Sequence, residues 1–215
     1  MNILKTALSL SAPEEWNDAL NYGADFREIR IDLIKNRSSE KELLRLCCGK
    51  KDKIPVIATI RSVKEGGNFS KDRKEWRRTI EPWLDCAEFI DIERDFSEYA
   101  YEIKAAGKKI IASVHLDYMP DNSELKQIEN HLREYGDIPK IVVTPMNYKD
   151  IASFIEFTVE AKKPVITSVM GEELKVARIP LLIMGSMLIF CHSKNQASIG
   201  QYHIDDIKKI IEILS

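Results

Sequence analysis

Phe26-Arg27-Glu28-Ile29-Arg30-Ile31-Asp32-Leu33 alternates charged and branched apolar residues from position 28 onward. Successive side chains of an extended chain point to opposite faces, so Glu28, Arg30 and Asp32 share one face and Ile29, Ile31 and Leu33 share the other. Working outward, the same pattern returns. Glu88–Glu93 sets Asp91 and Glu93 against Ile90 and Ile92. Pro55–Arg61 puts Thr59 and Arg61 on one face, Lys109–His115 does so for Ser113 and His115, and Lys140–Thr144 for Lys140, Val142 and Thr144. With Ile3–Leu10, Val165–Met170 and Ser186–His192 the strand candidates number eight.

Between them run amphipathic segments. Leu125, Ile128, Leu132 and Tyr135 step by three and four residues, as do Ile204, Ile207, Ile211 and Leu214, and Trp76, Ile80, Trp83 and Leu84 form a third stripe read as core. Ser11-Ala-Pro-Glu and Asp121-Asn-Ser-Glu read as helix starts. Gly23, Gly49, Gly107 and Gly136 stand where helices should stop. Strands alternating with helices predict a parallel sheet, and closing it gives an α/β fold, a (β/α)8 TIM barrel. Its 215 residues place it at the short end of that fold, as a single domain spanning residues 1–215. An open doubly wound sheet competes, but Ser9-Leu-Ser-Ala-Pro-Glu lacks the glycine-rich phosphate turn such a sheet usually carries after its first strand.

In a barrel the apolar faces meet the helices and the charged faces point into the lumen. Buried charges are costly unless paired, so this lumen reads as a functional site, with Glu28, Asp32, Asp91 and Glu93 available to pair with Arg30, Arg61 and Lys140. An antiparallel sheet with one wet face would show the same alternation; the intervening helices argue against it.

Composition narrows the class. A formal net charge of -2 gives no field for nucleic acid. No stretch approaches the ~18 apolar residues of a membrane span, and residues 1–10 lack a secretory signal pattern, so a cytoplasmic location is expected. Cys47, Cys48, Cys86 and Cys191 include no CxxC pair and are expected to be reduced thiols. No HExxH or clustered His/Cys pattern argues for a metal.

Lys140 is the most informative residue. A lysine attacks a carbonyl only as the neutral amine, the form that desolvation and neighbouring arginines favour. The alternative is a strand-start lysine reaching solvent, since barrel sites lie at the carboxyl ends of strands and Lys140 comes early in its own. His115 ends strand five, where an imidazole can move protons near neutral pH; a structural histidine is the alternative. His131, His192 and His203 carry no spacing signal.

Glu28-Ile-Arg-Ile-Asp, Thr59-Ile-Arg-Ser-Val-Lys-Glu-Gly-Gly, Ser113-Val-His, Lys140-Ile-Val-Val-Thr-Pro, Met170-Gly with Arg178, and Ala197-Ser-Ile-Gly-Gln follow one another in that order. Each is weak alone; in order they resemble the type I 3-dehydroquinate dehydratase family over nearly the whole chain. The resemblance implies dehydration of 3-dehydroquinate to 3-dehydroshikimate in the shikimate pathway, through a Schiff base on Lys140. His115 would move the proton and Glu65 would orient or tune it. Glu28 and Arg30 would hold substrate hydroxyls, Arg61 and Arg178 would grip polar and carboxylate groups, and Ser198 and Gln201 would sit on a loop closing over the substrate. It implies no cofactor or metal and a homodimer. The chain departs from the family pattern at Leu174 and Ala177, at an extra Leu116, and in a closing loop where Ile199 alone separates Ser198 from Gly200. No room precedes Ile3 for the N-terminal hairpin of some relatives.

Two other readings stay open. One is another Schiff-base barrel such as an aldolase, with a phosphate site after strands seven and eight. The other is a non-catalytic barrel kept as a binding partner, against which Lys140, His115 and Glu65 together argue.

Overall fold

A computed structural model describes residues 4–214. All eight expected strands form: β1 (Thr6–Leu10), β2 (Phe26–Arg30), β3 (Val56–Thr59), β4 (Phe89–Glu93), β5 (Lys109–His115), β6 (Ile138–Val143), β7 (Ile166–Val169) and β8 (Ile189–His192). The first was expected from Ile3, which lies outside the described residues; among these no strand precedes Thr6. A helix follows each strand: α1 (Asp18–Asn21), α2 (Arg37–Cys48), α3 (Arg73–Ile80), α4 (Ala100–Ala105), α5 (Asn122–Tyr135), α6 (Tyr148–Glu160), α7 (Arg178–Ile183) and α8 (Ile204–Leu214).

Every strand pairs in parallel with its sequence neighbour from β1 to β7, and β8 returns to β1 with Thr6 opposite Ile189. The remaining seam, between β7 and β8, is crossed by Met187 N donating to Val165 O at 2.7 Å and by Ser186 Oγ, which accepts from Thr167 N at 3.0 Å. The ring thus closes as the short (β/α)8 barrel that the strand–helix alternation predicts. A two-residue β9 (Tyr202–His203) beside β8 was not anticipated.

Helix ends follow local chemistry. Asp121 accepts from Glu124 N at 2.8 Å and caps α5. Ser11-Ala-Pro-Glu starts only one 3-10 turn, Pro13–Glu15, with the Glu15 carboxylate taking the Ser11 and Ala12 amides. Several helices are one or two turns long, which is how eight repeats fit this length.

The lumen is layered. Ala7, Phe26, Ile57, Phe89, Ile111, Ile138 and Ile166, one from each of β1 to β7, pack with Leu188 and Phe190 into an apolar floor. Two residues further along each strand the same face turns polar: Ser9, Glu28, Thr59, Asp91, Ser113, Lys140 and Ser168. The opposite faces, such as Ile29, Ala58, Ile90 and Ile141, pack toward the helices in the main apolar clusters. Arg27 is an exception. It is buried on the helix side, bidentate to Asp52 at 2.7 and 3.0 Å and 4.3 Å over the Trp16 ring.

The cysteine expectation needs correcting. Cys48 and Cys86 form a disulfide with their Cα atoms 4.6 Å apart, while Cys47 and Cys191 are free and buried. The end of α2 lies against the segment leading into β4, a proximity no linear spacing reveals. Among the described residues no helix is long and apolar enough to cross a membrane, and no group of three or more His, Cys, Asp or Glu could hold a metal ion.

Candidate active site

β6 begins at Ile138, two residues earlier than expected, so Lys140 is its third residue and rises from the floor into the polar layer. It is 4 % exposed, which excludes a lysine reaching bulk solvent. Its Nζ donates to Asp91 Oδ2 at 2.9 Å, has Glu28 Oε1 at 3.8 Å, and lies 4.1 Å from the centroid of Phe190. The arginines expected around it are themselves answered by carboxylates. Arg30 binds Asp32 through Nε at 3.0 Å and Nη2 at 2.9 Å. Arg61 donates from Nη2 to Asp91 at 2.8 Å, and from Nη1 to Glu93 at 2.9 Å, Glu65 at 3.0 Å and Ser113 at 3.1 Å. Burial works against the Asp91 charge, yet Arg61, Lys140 and the Ser113 hydrogen bond outweigh it and hold the carboxyl at about 2.

His115 ends β5 with its side chain mostly buried. Glu65 reaches it from the turn after β3. Gly66 at φ 81° reverses the chain directly after Glu65. A Cβ on Gly67 would overlap the Arg61 carbonyl, so the glycine pair lets this turn fold back onto its own strand end. Glu65 Oε2 accepts from the His115 amide at 3.1 Å and from Arg61 Nη1, and stands 2.9 Å from His115 Nδ1. Oε2 already accepts from two donors, so a proton held by this carboxyl sits on Oε1, the imidazole hydrogen is assigned to Nδ1, and the Nε2 lone pair is left free. Burial, with Arg61, Lys140 and Arg30 nearby, drives the imidazole well below its usual 6.5. Burial and the Glu93 and Asp91 charges push the Glu65 carboxyl up to about 8 against the pull of Arg61. Near neutral pH the pair therefore carries no net charge.

Arg178 enters from the start of α7. It donates from Nε to Val169 O at 3.0 Å and from Nη2 to Ile199 O at 3.1 Å. No carboxylate pairs with it among the described residues, and burial lowers it to about 10. Of the three mouth arginines it is the one left to meet an anion. The segment after β8 lies over the mouth: Arg30 Nη1 donates to Ala197 O at 2.8 Å, Ala197 N to Gln201 Oε1 at 2.8 Å, and Gln201 Nε2 to Ser9 Oγ at 3.2 Å. Gly200, at φ 80°, packs where a Cβ would meet the Gly171 carbonyl.

One cavity is lined by Glu28, Arg30, Arg61, His115, Lys140 and Arg178, with Ser198 and Gln201 at its rim. Eight of the nine residues expected at a site thus meet, and Glu65 stands behind His115. Despite the shortened loop, Ser198 and Gln201 both line the cavity. Thr59, Ser168 and Phe190 line it as well without having been singled out. Thr59 was visible only as a lumen-facing position. Phe190 gave no signal, because an aromatic residue in a strand reads as core.

Fold and site together define a parallel-barrel enzyme whose polar groups gather at the carboxyl ends of the strands. A family model for type I 3-dehydroquinase matches residues 7–215. The chain belongs to that family. It is 39% identical over 212 residues to a 3-dehydroquinate dehydratase of Methanoregula boonei, covering 99% of this chain and 100% of the relative. The 3-dehydroquinate dehydratase structure from Aquifex aeolicus superposes with a TM-score of 0.82 at 27% identity, over 98% of each chain. A Clostridium difficile type I enzyme carrying covalently modified comenic acid has a TM-score of 0.86 at 24% identity, over 100% of this chain and 93% of that one, and shares the fold.

Proposed function

We propose that this chain dehydrates 3-dehydroquinate to 3-dehydroshikimate through a Schiff base on Lys140, in the shikimate route to aromatic amino acids. The observation that carries the reading is an enclosed lysine nitrogen and an imidazole braced at Nδ1 by Glu65, both lining one cavity, beside an arginine that has no carboxylate partner among the described residues. Family membership supports the same substrate.

Lys140 Nζ, having released one proton, adds to the ketone carbon, and return of that proton to the carbinolamine hydroxyl lets it leave as water, giving a protonated imine. That cation draws electrons from the neighbouring carbon. His115 Nε2 takes the proton from it and an enamine forms. The enamine electrons then expel the hydroxyl one carbon further along, and the imidazolium returns its proton so that water departs. Hydrolysis of the imine frees the enone and restores Lys140. Glu65 fixes the His115 tautomer. Arg178 takes the substrate carboxylate, with Arg61 supporting the polar wall. Glu28 and Arg30 hold hydroxyls, and Ser198 and Gln201 close the mouth. The imine is itself the electron sink, so the proposal needs no cofactor.

The test is to follow the conjugated enone by its ultraviolet absorbance in purified protein supplied with 3-dehydroquinate. The reading expects product from the unsubstituted chain and none above background from Lys140→Met; absence of product from the unsubstituted chain contradicts it. A cytoplasmic location and a homodimer complete the proposal. They rest on membership of the family, and light scattering should give about twice the 24.7 kDa of one chain.

A further inference from the structure

Four hydroxyls stand in the polar layer above the barrel floor, on alternate strands: Ser9 on β1, Thr59 on β3, Ser113 on β5 and Ser168 on β7. Three of them are committed to carboxylates. Ser9 Oγ donates to Glu28 Oε2 at 2.5 Å, Thr59 Oγ1 to Glu28 Oε1 at 3.0 Å, and Ser113 Oγ to Asp91 Oδ1 at 2.5 Å. The Ser168 hydroxyl donates to no protein group among the described residues. It belongs to the half-buried residue of β7 and lines the cavity. We infer that Ser168 is a further substrate-binding residue, whose hydroxyl donates to the carboxylate that Arg178 takes. The inference rests on the dehydratase reading above and deepens it.

Strand register sets the position. Ile166 is opposite Lys140 and Ser168 is opposite Val142, so Ser168 stands one lumen-facing step nearer the mouth than the lysine, on the adjoining strand. The next residue, Val169, anchors Arg178: its carbonyl accepts from Nε at 3.0 Å, while Ile199 O takes Nη2. Two of the five guanidinium N–H bonds are thus given to carbonyls. A carboxylate has about four acceptor sites on its two oxygens, more than the arginine has hydrogens left, so a second donor has an oxygen to meet. Glu28 and Arg30, which would hold substrate hydroxyls, come from β2 on another side of the lumen, whereas Ser168 is joined directly to the residue that holds Arg178. Substrate entering the cavity displaces water from the serine, and a desolvated hydroxyl is costly without a partner. An anionic oxygen is the strongest acceptor available to it.

The experiment measures kcat and KM for 3-dehydroquinate, by the ultraviolet absorbance of the enone, in the unsubstituted chain, in Ser168→Ala, Ser168→Cys and Arg178→Met, and in the double variant that joins Ser168→Ala to Arg178→Met. Tm is taken for each. Alanine removes the donor, and cysteine keeps the shape while leaving only a weak one. Both should raise KM by about 5- to 30-fold, the loss of a hydrogen bond to a charged group. Binding energy shared by ground and transition states leaves kcat in place, and Tm stays too, because no protein group loses a partner. A hydroxyl with a structural role would do the reverse, lowering Tm and leaving KM unchanged. In the double variant the two effects on KM should fall well short of multiplying, because both groups hold one carboxylate. An unchanged KM in Ser168→Ala and Ser168→Cys, or effects that multiply in full, overturns the inference and leaves the dehydratase reading intact. No product from the unsubstituted chain overturns that reading, and this inference with it.

Discussion

Asp91 is shared between two cations: Arg61 Nη2 meets Oδ1 and Lys140 Nζ meets Oδ2, with the Ser113 hydroxyl also donating to Oδ1. Removing its charge leaves a buried cation unanswered. Asp91→Asn is therefore expected to lose about 3–5 kcal/mol in denaturant unfolding. Lys140→Met should lose less, because Asp91 keeps Arg61. At His115 the expectation is kinetic. His115→Ala should still form the imine while turnover falls by about 10²–10⁴-fold; full activity in that variant would remove the histidine from the mechanism. The imidazole is held well below 6.5 by burial and by Arg61, Lys140 and Arg30. It stays in its basic form as pH falls past 6.5, so the acid limb of kcat/KM should lie well below that value in a pH–rate profile. Arg178→Met should raise KM by about 10- to 100-fold, the loss of a hydrogen-bonded charge contact, with kcat less affected. Lys140 and His115 were legible because a charged or titratable residue in a strand is unexpected; Arg178, the first residue of α7, was legible only through the family resemblance. Asp91 was legible only as one lumen charge among several, since its two partners come from β6 and from the end of β3. Phe190 was silent, because a core ring and a cation's partner are the same letter.

The turn from Arg61 to Phe69 shows how an element serves the site. Ser62 O accepts from Gly67 N at 2.8 Å and Arg61 O from Phe69 N at 3.0 Å, which ties the turn to the strand end and aims Glu65 at His115. Gly67→Ala would force the Arg61 carbonyl aside. Turnover should fall by up to about 10²-fold, the scale set by a misplacement of about an ångström. Circular dichroism should remain native, and a kcat equal to the unsubstituted chain would contradict the role given to the turn. Strands were the most legible elements, because alternation marks both their place and their buried face. Their ends were less so: β6 starts at Ile138, which supplies the floor residue of that strand, two residues before the expected start at Lys140. β2 ends at Arg30, and Asp32, expected on the strand, sits in a 3-10 turn (Ile31–Leu33), where its carboxylate takes the Arg61 and Asn68 amides at 3.1 Å each. β9 was illegible, since a two-residue pairing carries no pattern.

Over the whole molecule, a hydrophobic ring of strands holds a polar chamber, and folding stability should register that chamber's protons. Glu65 is raised from 4.5 to about 8, so the native state keeps a proton the unfolded chain releases, and this contribution is lost as pH rises from 4.5 to 8. His115 is lowered from 6.5, so the unfolded chain takes up a proton the native state refuses, and stability is lost as pH falls below 6.5. The two slopes oppose each other between 4.5 and 6.5. Glu65 acts alone between 6.5 and 8. A Tm measured against pH should therefore fall from pH 6.5 to 8, and Glu65→Gln should flatten that fall; an identical slope in both proteins would mean Glu65 is not the group titrating. The barrel itself was legible from eight alternating strand and helix patterns. The Cys48–Cys86 disulfide was not, since it depends on how α2 lies against β4.

The proposed reaction turns on covalent chemistry at one nitrogen. Incubating the protein with 3-dehydroquinate, reducing with borohydride, digesting, and sequencing the peptides by mass spectrometry asks the question directly. A substrate-derived mass on Lys140 is the predicted result. No adduct, or one carried by another lysine, would contradict it.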